Sequence, residues 1–158
     1  MNTPFPAYRG SENFVFVCYS HRDAEDVYRE IDAIHQAGTY VWYDEGIRPG
    51  SEWTDELAAA ITDCSRVLFF VTPRAVQSRH CRDEVQYATK LGKSIVVVYL
   101  EPTELPRGLD LVLGSIQAVH RFDVDPEDYW RRLMEAVEPA VEDEARSVPG
   151  HGAPPDAG

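Results

Sequence analysis

The chain has no apolar run approaching the roughly 20 residues of a membrane span. Its opening residues, Met1-Asn2-Thr3-Pro4-Phe5-Pro6, contain neither a basic region nor an apolar stretch, so no secretory leader is expected. Cations are scarce: 15 Lys and Arg stand against 27 Asp and Glu, a formal net charge of -12. That balance argues against sequence-independent nucleic-acid binding, which needs clustered Lys and Arg, and against an anionic membrane surface as partner. The three cysteines, Cys18, Cys64 and Cys81, have no metal-ligand spacing, and each lies in or beside an apolar segment. Buried free thiols in a reducing compartment are expected, and with them a cytoplasmic location. His21, His35, His80, His120 and His151 form no H-x-x-x-H pair, which speaks against metal ligation. No G-x-G-x-x-G follows an apolar run, and neither G-x-x-x-x-G-K-[ST] nor G-x-S-x-G occurs. Rossmann, P-loop and serine-hydrolase readings are thereby excluded.

What is present is an ordinary globular composition. The 158 residues are 44% apolar and 27% charged, which suits one domain with a real core. Residues 1–13 are polar and carry Pro4, Pro6 and Gly10, so they read as a flexible lead-in. Phe14 to Cys18 is a continuous apolar run, the mark of a strand buried on both faces. Val27, Ile31 and Ile34 then repeat at helical spacing, with Gly38 to end the helix. Tyr40 to Tyr43 is a second strand, and Asp44 to Gly50 a loop. Ser51 is a candidate N-cap for a helix whose stripe is Trp53, Leu57, Ala60 and Ile61. Val67 to Val71 and Ser94 to Leu100 are the third and fourth strands, the latter expected inside the sheet. Pro102 and Pro106 break the next stretch, where Leu109, Leu111 and Leu113 indicate a short packed turn. Ser115 to Val119 is an expected edge strand, and Asp125-Pro126 starts a last helix faced by Trp130, Leu133, Met134 and Val137. The acidic, then Pro/Gly/Ala-rich end, 141–158, is expected to be disordered.

Strands alternating with helices predict a flavodoxin-like, doubly wound α/β fold, five parallel strands in the order 2-1-3-4-5. Its ligand crevice lies where strands one and three diverge at their carboxyl ends. The loop after Cys18 and the loop after Val71 meet there, and the second leads into Ser78-Arg79-His80-Cys81-Arg82-Asp83-Glu84. On a helical wheel, Cys81, Val85 and Ala88 form a buried stripe, and Glu84 lies on its flank beside His80, Tyr87 and Leu91. Glu84 is there either a solvated surface carboxylate or a desolvated acid or base. A phospho-receiver would need acidic residues after strand one and an aspartate ending strand three. The chain has Tyr19-Ser20-His21 and Val71-Thr72-Pro73 instead.

Phe16-Val17-Cys18-Tyr19-Ser20-His21-Arg22-Asp23 resembles the first signature of TIR (Toll/interleukin-1 receptor) domains. Tyr43-Asp44-Glu45-Gly46-Ile47-Arg48-Pro49-Gly50-Ser51-Glu52-Trp53 is similar to their second, the loop after strand two, and Ser78 to Glu84 to the start of their third helix. The three matches run in family order through residues 14–140 and look most like the prokaryotic branch. The resemblance implies an NAD+ glycohydrolase or cyclase that releases nicotinamide, in anti-phage defence or signalling, with NAD+ as substrate and no cofactor. It carries the family's catalytic glutamate onto Glu84 and its substrate contacts onto Ser20, His21, Arg48, Trp53 and His80. His80 stands where many active members carry a stacking Trp. Ser20 equally fits a helix cap, Trp53 a core anchor, and Arg48 a solvated or protein-contact residue. The resemblance also implies self-association, and a separate effector that responds to the product. The alternative it leaves open is a non-catalytic adaptor, or a host-mimicking effector, assembling through the loop after strand two.

Overall fold

The structure, a computed structural model, describes residues 2–46 and 51–138, with the side chains of 51–53 outside the description. Arg48, the side chains of Ser51 and Trp53, and the tail 141–158 therefore lie outside the described residues. Five strands form one parallel sheet: β1 (Val15–Cys18), β2 (Val41–Tyr43), β3 (Arg66–Val71), β4 (Ile95–Tyr99) and β5 (Ala118–His120). The order is β2-β1-β3-β4-β5. This is the predicted flavodoxin-like arrangement. β1 pairs with both β2 and β3, in a register that sets Val17 beside Tyr43 and Cys18 beside Phe69. All residues of β1 and β2, and Val67 to Val71 of β3, are buried, as runs with apolar side chains on both faces require.

The helices are α1 (Ala24–Gln36), α2 (Ser51–Asp63), α3 (Arg79–Lys90), α4 (Arg107–Leu113) and α5 (Pro126–Val137). Val27, Ile31 and Ile34 bury the inner stripe of α1, and Gly38 ends the turn at φ +104°, a conformation that disfavours a Cβ. The α5 start is as its sequence reads: Asp125 accepts the Asp128 N–H at 3.1 Å, with Pro126 in the first turn. Arg121 ties α1 to the end of β5 through both oxygens of Asp26, each at 2.8 Å, and through Glu30 at 2.9 Å. Among the described residues no helix is long and apolar enough to cross a membrane.

The structure corrects three expectations. The stretch read as a packed turn is the helix α4, in which Leu109 and Leu113 share a face at four-residue spacing and are buried. Leu111 lies on the opposite side and is 86% exposed. The edge strand is displaced, at Ala118–His120 rather than Ser115 to Val119, where His120 stacks on Tyr99 with ring centroids 4.6 Å apart. Third, the lead-in is packed. Phe5 and Ala7 are buried, Phe5 stacks on His35 at 3.9 Å, and the Tyr43 hydroxyl donates to the Phe5 carbonyl. The Tyr8 N–H donates to Val41 O at 2.9 Å, which covers part of edge strand β2. A Pro-rich composition hid this because two aromatic rings, rather than any local periodicity, hold the segment. Phe5→Ala is expected to destabilise the fold by about 2 kcal/mol, below the usual cost of truncating a core aromatic because the site is peripheral. Urea unfolding followed by tryptophan fluorescence measures it.

Candidate functional site

The carboxyl ends of β1, β2 and β3 open into a cleft of about 940 Å³. Ser20, His21, His80 and Glu84, four residues singled out from the sequence, all line it. Chain topology produces that convergence. β1 delivers Ser20 and His21, while the turn after β3 delivers Ser78, whose hydroxyl caps α3 by accepting the Cys81 N–H at 3.3 Å. The cap starts α3 so that Cys81, Val85 and Ala88 face the core.

Glu84 is only 9% exposed, deeper than a helix shoulder implies. Its wheel neighbours differ: Tyr87 is half-buried, whereas Leu91 and His80 are exposed. Burial pushes the Glu84 carboxyl up to about 8, with the Cys81 sulfur and the Asp44 carboxylate adding to the rise. A hydrogen bond with the Cys18 thiol opposes it. Cys18, at the end of β1, is fully buried, which pushes its thiol up, and its sulfur lies 3.7 Å from the Cys81 carbonyl oxygen. All three cysteines are free and buried. Resting Glu84 is thus a protonated acid near neutral pH.

Ser20 both caps and lines: it is buried, accepts the Arg22 N–H at 3.3 Å, and still forms part of the cleft wall. His21 stacks on Tyr19 with centroids 4.9 Å apart and places Nε2 2.9 Å from Asp44 Oδ2. That hydrogen bond raises the His21 pKa against the opposing effect of burial. Tyr19 is buried, and its hydroxyl donates to the Asp44 carbonyl at 2.5 Å with Tyr28 3.3 Å away. Burial pushes the Tyr19 phenol far up, so it stays neutral and serves as a support.

Sequence reasoning missed two groups. Asp44 follows β2 and reaches His21 across the sheet; its signal was an acidic residue at the carboxyl end of a strand adjoining β1. The second is Arg74, which lines the cleft and joins Asp23 to Glu101. Asp23 is buried, accepts from Arg74 Nε at 2.5 Å, and accepts the Thr72 hydroxyl at 2.6 Å. Its partners lie some 50 positions away in sequence, so no local pattern marks it. Among the described residues no three or more His, Cys, Asp and Glu side chains form a group able to hold a metal ion.

The chain is similar to solved structures that share this architecture. The TIR domain of the Toll-related receptor TRR-2 of Hydra magnipapillata superposes with a TM-score of 0.66 at 22% identity, over 77% of this chain and 95% of that one. The TIR domains of the activated Roq1 resistosome, which recognises the pathogen effector XopQ, give 0.61 at 13% identity over 79% and 99%. The CMP N-glycosidase BcmB of Clostridium botulinum gives 0.53 at 20% identity over 78% and 99%. At these identities the likeness establishes the fold. No curated protein sequence matches the chain. The sequence pattern of the TIR domain, in contrast, matches residues 15–135. By that match, over most of its length and across every strand of the sheet, the chain belongs to the TIR domain family.

Proposed function

We propose that the protein cleaves the nicotinamide N-glycosidic bond of NAD+, with Glu84 as the catalytic carboxylate. The observation that carries this reading is a desolvated carboxyl on the wall of a 940 Å³ cleft at the carboxyl edge of the sheet. That volume falls in the range of small-molecule sites. Cleavage sends the C1′–N electron pair to the nicotinamide nitrogen and leaves positive charge on C1′ and the ring oxygen. A carboxylate held against that charge stabilises the transition state, as in glycoside hydrolysis. Nicotinamide leaves as a neutral molecule, so no general acid is needed. Ser20, His21 and His80 would contact the substrate from the cleft wall, with Arg48 and Trp53 as the further contacts that the family pattern implies. The product is ADP-ribose or a cyclic ADP-ribose, and the setting is prokaryotic anti-phage defence or signalling in the cytoplasm. Self-association, which the TIR resistosome sharing this fold supports, and a product-sensing effector belong to the same proposal.

Purified protein incubated with NAD+ tests the reading through nicotinamide release, at rest and when forced to assemble. Equal release by wild type and Glu84→Ala would sink it. One observation favours a catalytically silent assembly module: the exposed His80 offers less stacking area than Trp at the rim. That reading expects no NAD+ loss, with concentration-dependent oligomers disrupted by changes at Arg48 or Pro49.

A further inference from the structure

A glycosyl cation must be captured after nicotinamide leaves, and Glu84, buried against the sulfur of Cys81, is committed to stabilising charge. We propose that His21, oriented by Asp44, is the general base that removes the proton from the water attacking C1′; this rests on the NAD+ reading above.

The geometry leaves the imidazole one free acceptor. Asp44 Oδ2 lies 2.9 Å from His21 Nε2, and Asp44 Oδ1 accepts the Gly46 N–H at 3.0 Å. Together with the Tyr19 hydroxyl on its carbonyl, these bonds fix Asp44 from three sides. An ionised carboxylate can only accept, so in the neutral ring the proton resides on Nε2 and Nδ1 keeps its lone pair. No other hydrogen bond of the His21 ring occurs among the described residues, and the ring lines the same cleft as Glu84 with 49% of its side chain exposed. The groups that bear on the ring are Asp44 after β2, Tyr19 at the end of β1 and Cys81 on α3. This is the orienting logic of a base held in one tautomer by an acid.

The step balances. The C1′–N bond breaks with its electron pair going to nicotinamide. A lone pair of water forms the C1′–O bond, Nδ1 of His21 accepts one water proton, and the imidazolium later returns it to solvent. The products are ADP-ribose, nicotinamide and one proton. Capture by a pyridine base needs no such help, because a pyridine nitrogen forms the new C1′–N bond and has no proton to lose.

That contrast supplies the test. Wild type, Asp44→Asn and His21→Ala are each given NAD+ with 3-acetylpyridine, and hydrolysis and base exchange are followed together. In Asp44→Asn the Gly46 N–H keeps the amide oxygen on its side, so the amide nitrogen donates to His21 Nε2. The ring proton must then sit on Nδ1, which stops accepting. The ratio of exchange to hydrolysis is expected to rise roughly 10²-fold in both variants, the usual weight of a general base. A role confined to holding the cleft in shape would lower both reactions by one factor, and that outcome overturns the assignment. Nitrogen NMR shifts of His21 give a second readout that needs no turnover. The neutral ring should carry its proton on Nε2 in wild type and on Nδ1 in Asp44→Asn, and the reverse in wild type also overturns it. An active wild type with an unchanged ratio defeats the base alone. A wild type that releases no nicotinamide even when assembled defeats the NAD+ reading and the base with it.

Discussion

Glu84→Gln is expected to lower nicotinamide release roughly 10²–10³-fold in kcat, the usual loss when a charge-stabilising group is removed from a buried site. The same substitution is expected to make the protein more stable. The folded state holds the Glu84 proton up to about pH 8, whereas the unfolded chain releases it near the ordinary value of 4.5. Between those values the native state binds more protons than the unfolded one, so stability falls as pH rises and levels off once both have ionised. Glutamine has nearly the same shape and no proton to lose. Wild type and variant should therefore match at about pH 5, and the variant should lead by on the order of a few kcal/mol at about pH 9. Denaturant titrations at the two pH values measure the gap, and a constant difference would contradict it. Turnover adds a second signature. Only the ionised carboxylate opposes the charge on C1′, and the bound pyridinium itself favours ionisation by proximity. The kcat/KM profile, which reports free enzyme, should rise towards a plateau above about pH 8, while the kcat profile should have its midpoint lower.

Arg74→Ala is expected to cost about 3 kcal/mol, at the low end of what breaking a buried ion pair costs because the guanidinium is partly exposed. Removing it leaves the Asp23 carboxylate buried with, among the described residues, only the Thr72 hydroxyl donating to it. Asp23 begins the chain's path into α1, Thr72 and Arg74 follow β3, and Glu101 follows β4, so one guanidinium on the cleft wall joins three loops at the carboxyl edge of the sheet. Its loss should therefore also raise KM. Adding Asp23→Asn to Arg74→Ala should recover part of the stability, because the orphaned charge is gone while an acceptor for Thr72 remains. A double variant no more stable than Arg74→Ala alone would show that packing, not charge, dominates there. The midpoint of thermal unfolding, read for the single and double variants at one pH, decides it.

Where local pattern and environment coincide, the sequence was sufficient. The β1 and β3 runs, the α1 and α5 stripes, the Asp125 cap and the Gly38 stop all read through as structure. It was misleading where the holding interactions are distant. The lead-in looked loose because the partners of Phe5, His35 and Tyr43, lie far along the chain. The α4 helix was obscured by Pro102 and Pro106 just before it, and Leu111 counted as packed although it faces away from Leu109 and Leu113.

By itself the sequence determined the alternation of strands and helices, the sheet order, the family and the nomination of Glu84, because each follows from short-range periodicity or from motifs in register. Tertiary structure alone decided the electrostatics. A glutamate on a helix flank has an ordinary pKa until α3 settles against Cys18 at the end of β1 and burial takes water from it, with the Asp44 charge adding to the rise. Likewise His21 was a substrate contact by resemblance, with no acid to orient it, until β1 and β2 paired and brought Asp44 to its Nε2. Proton affinity depends on what surrounds a group in space. That surrounding comes from residues a sequence window never contains.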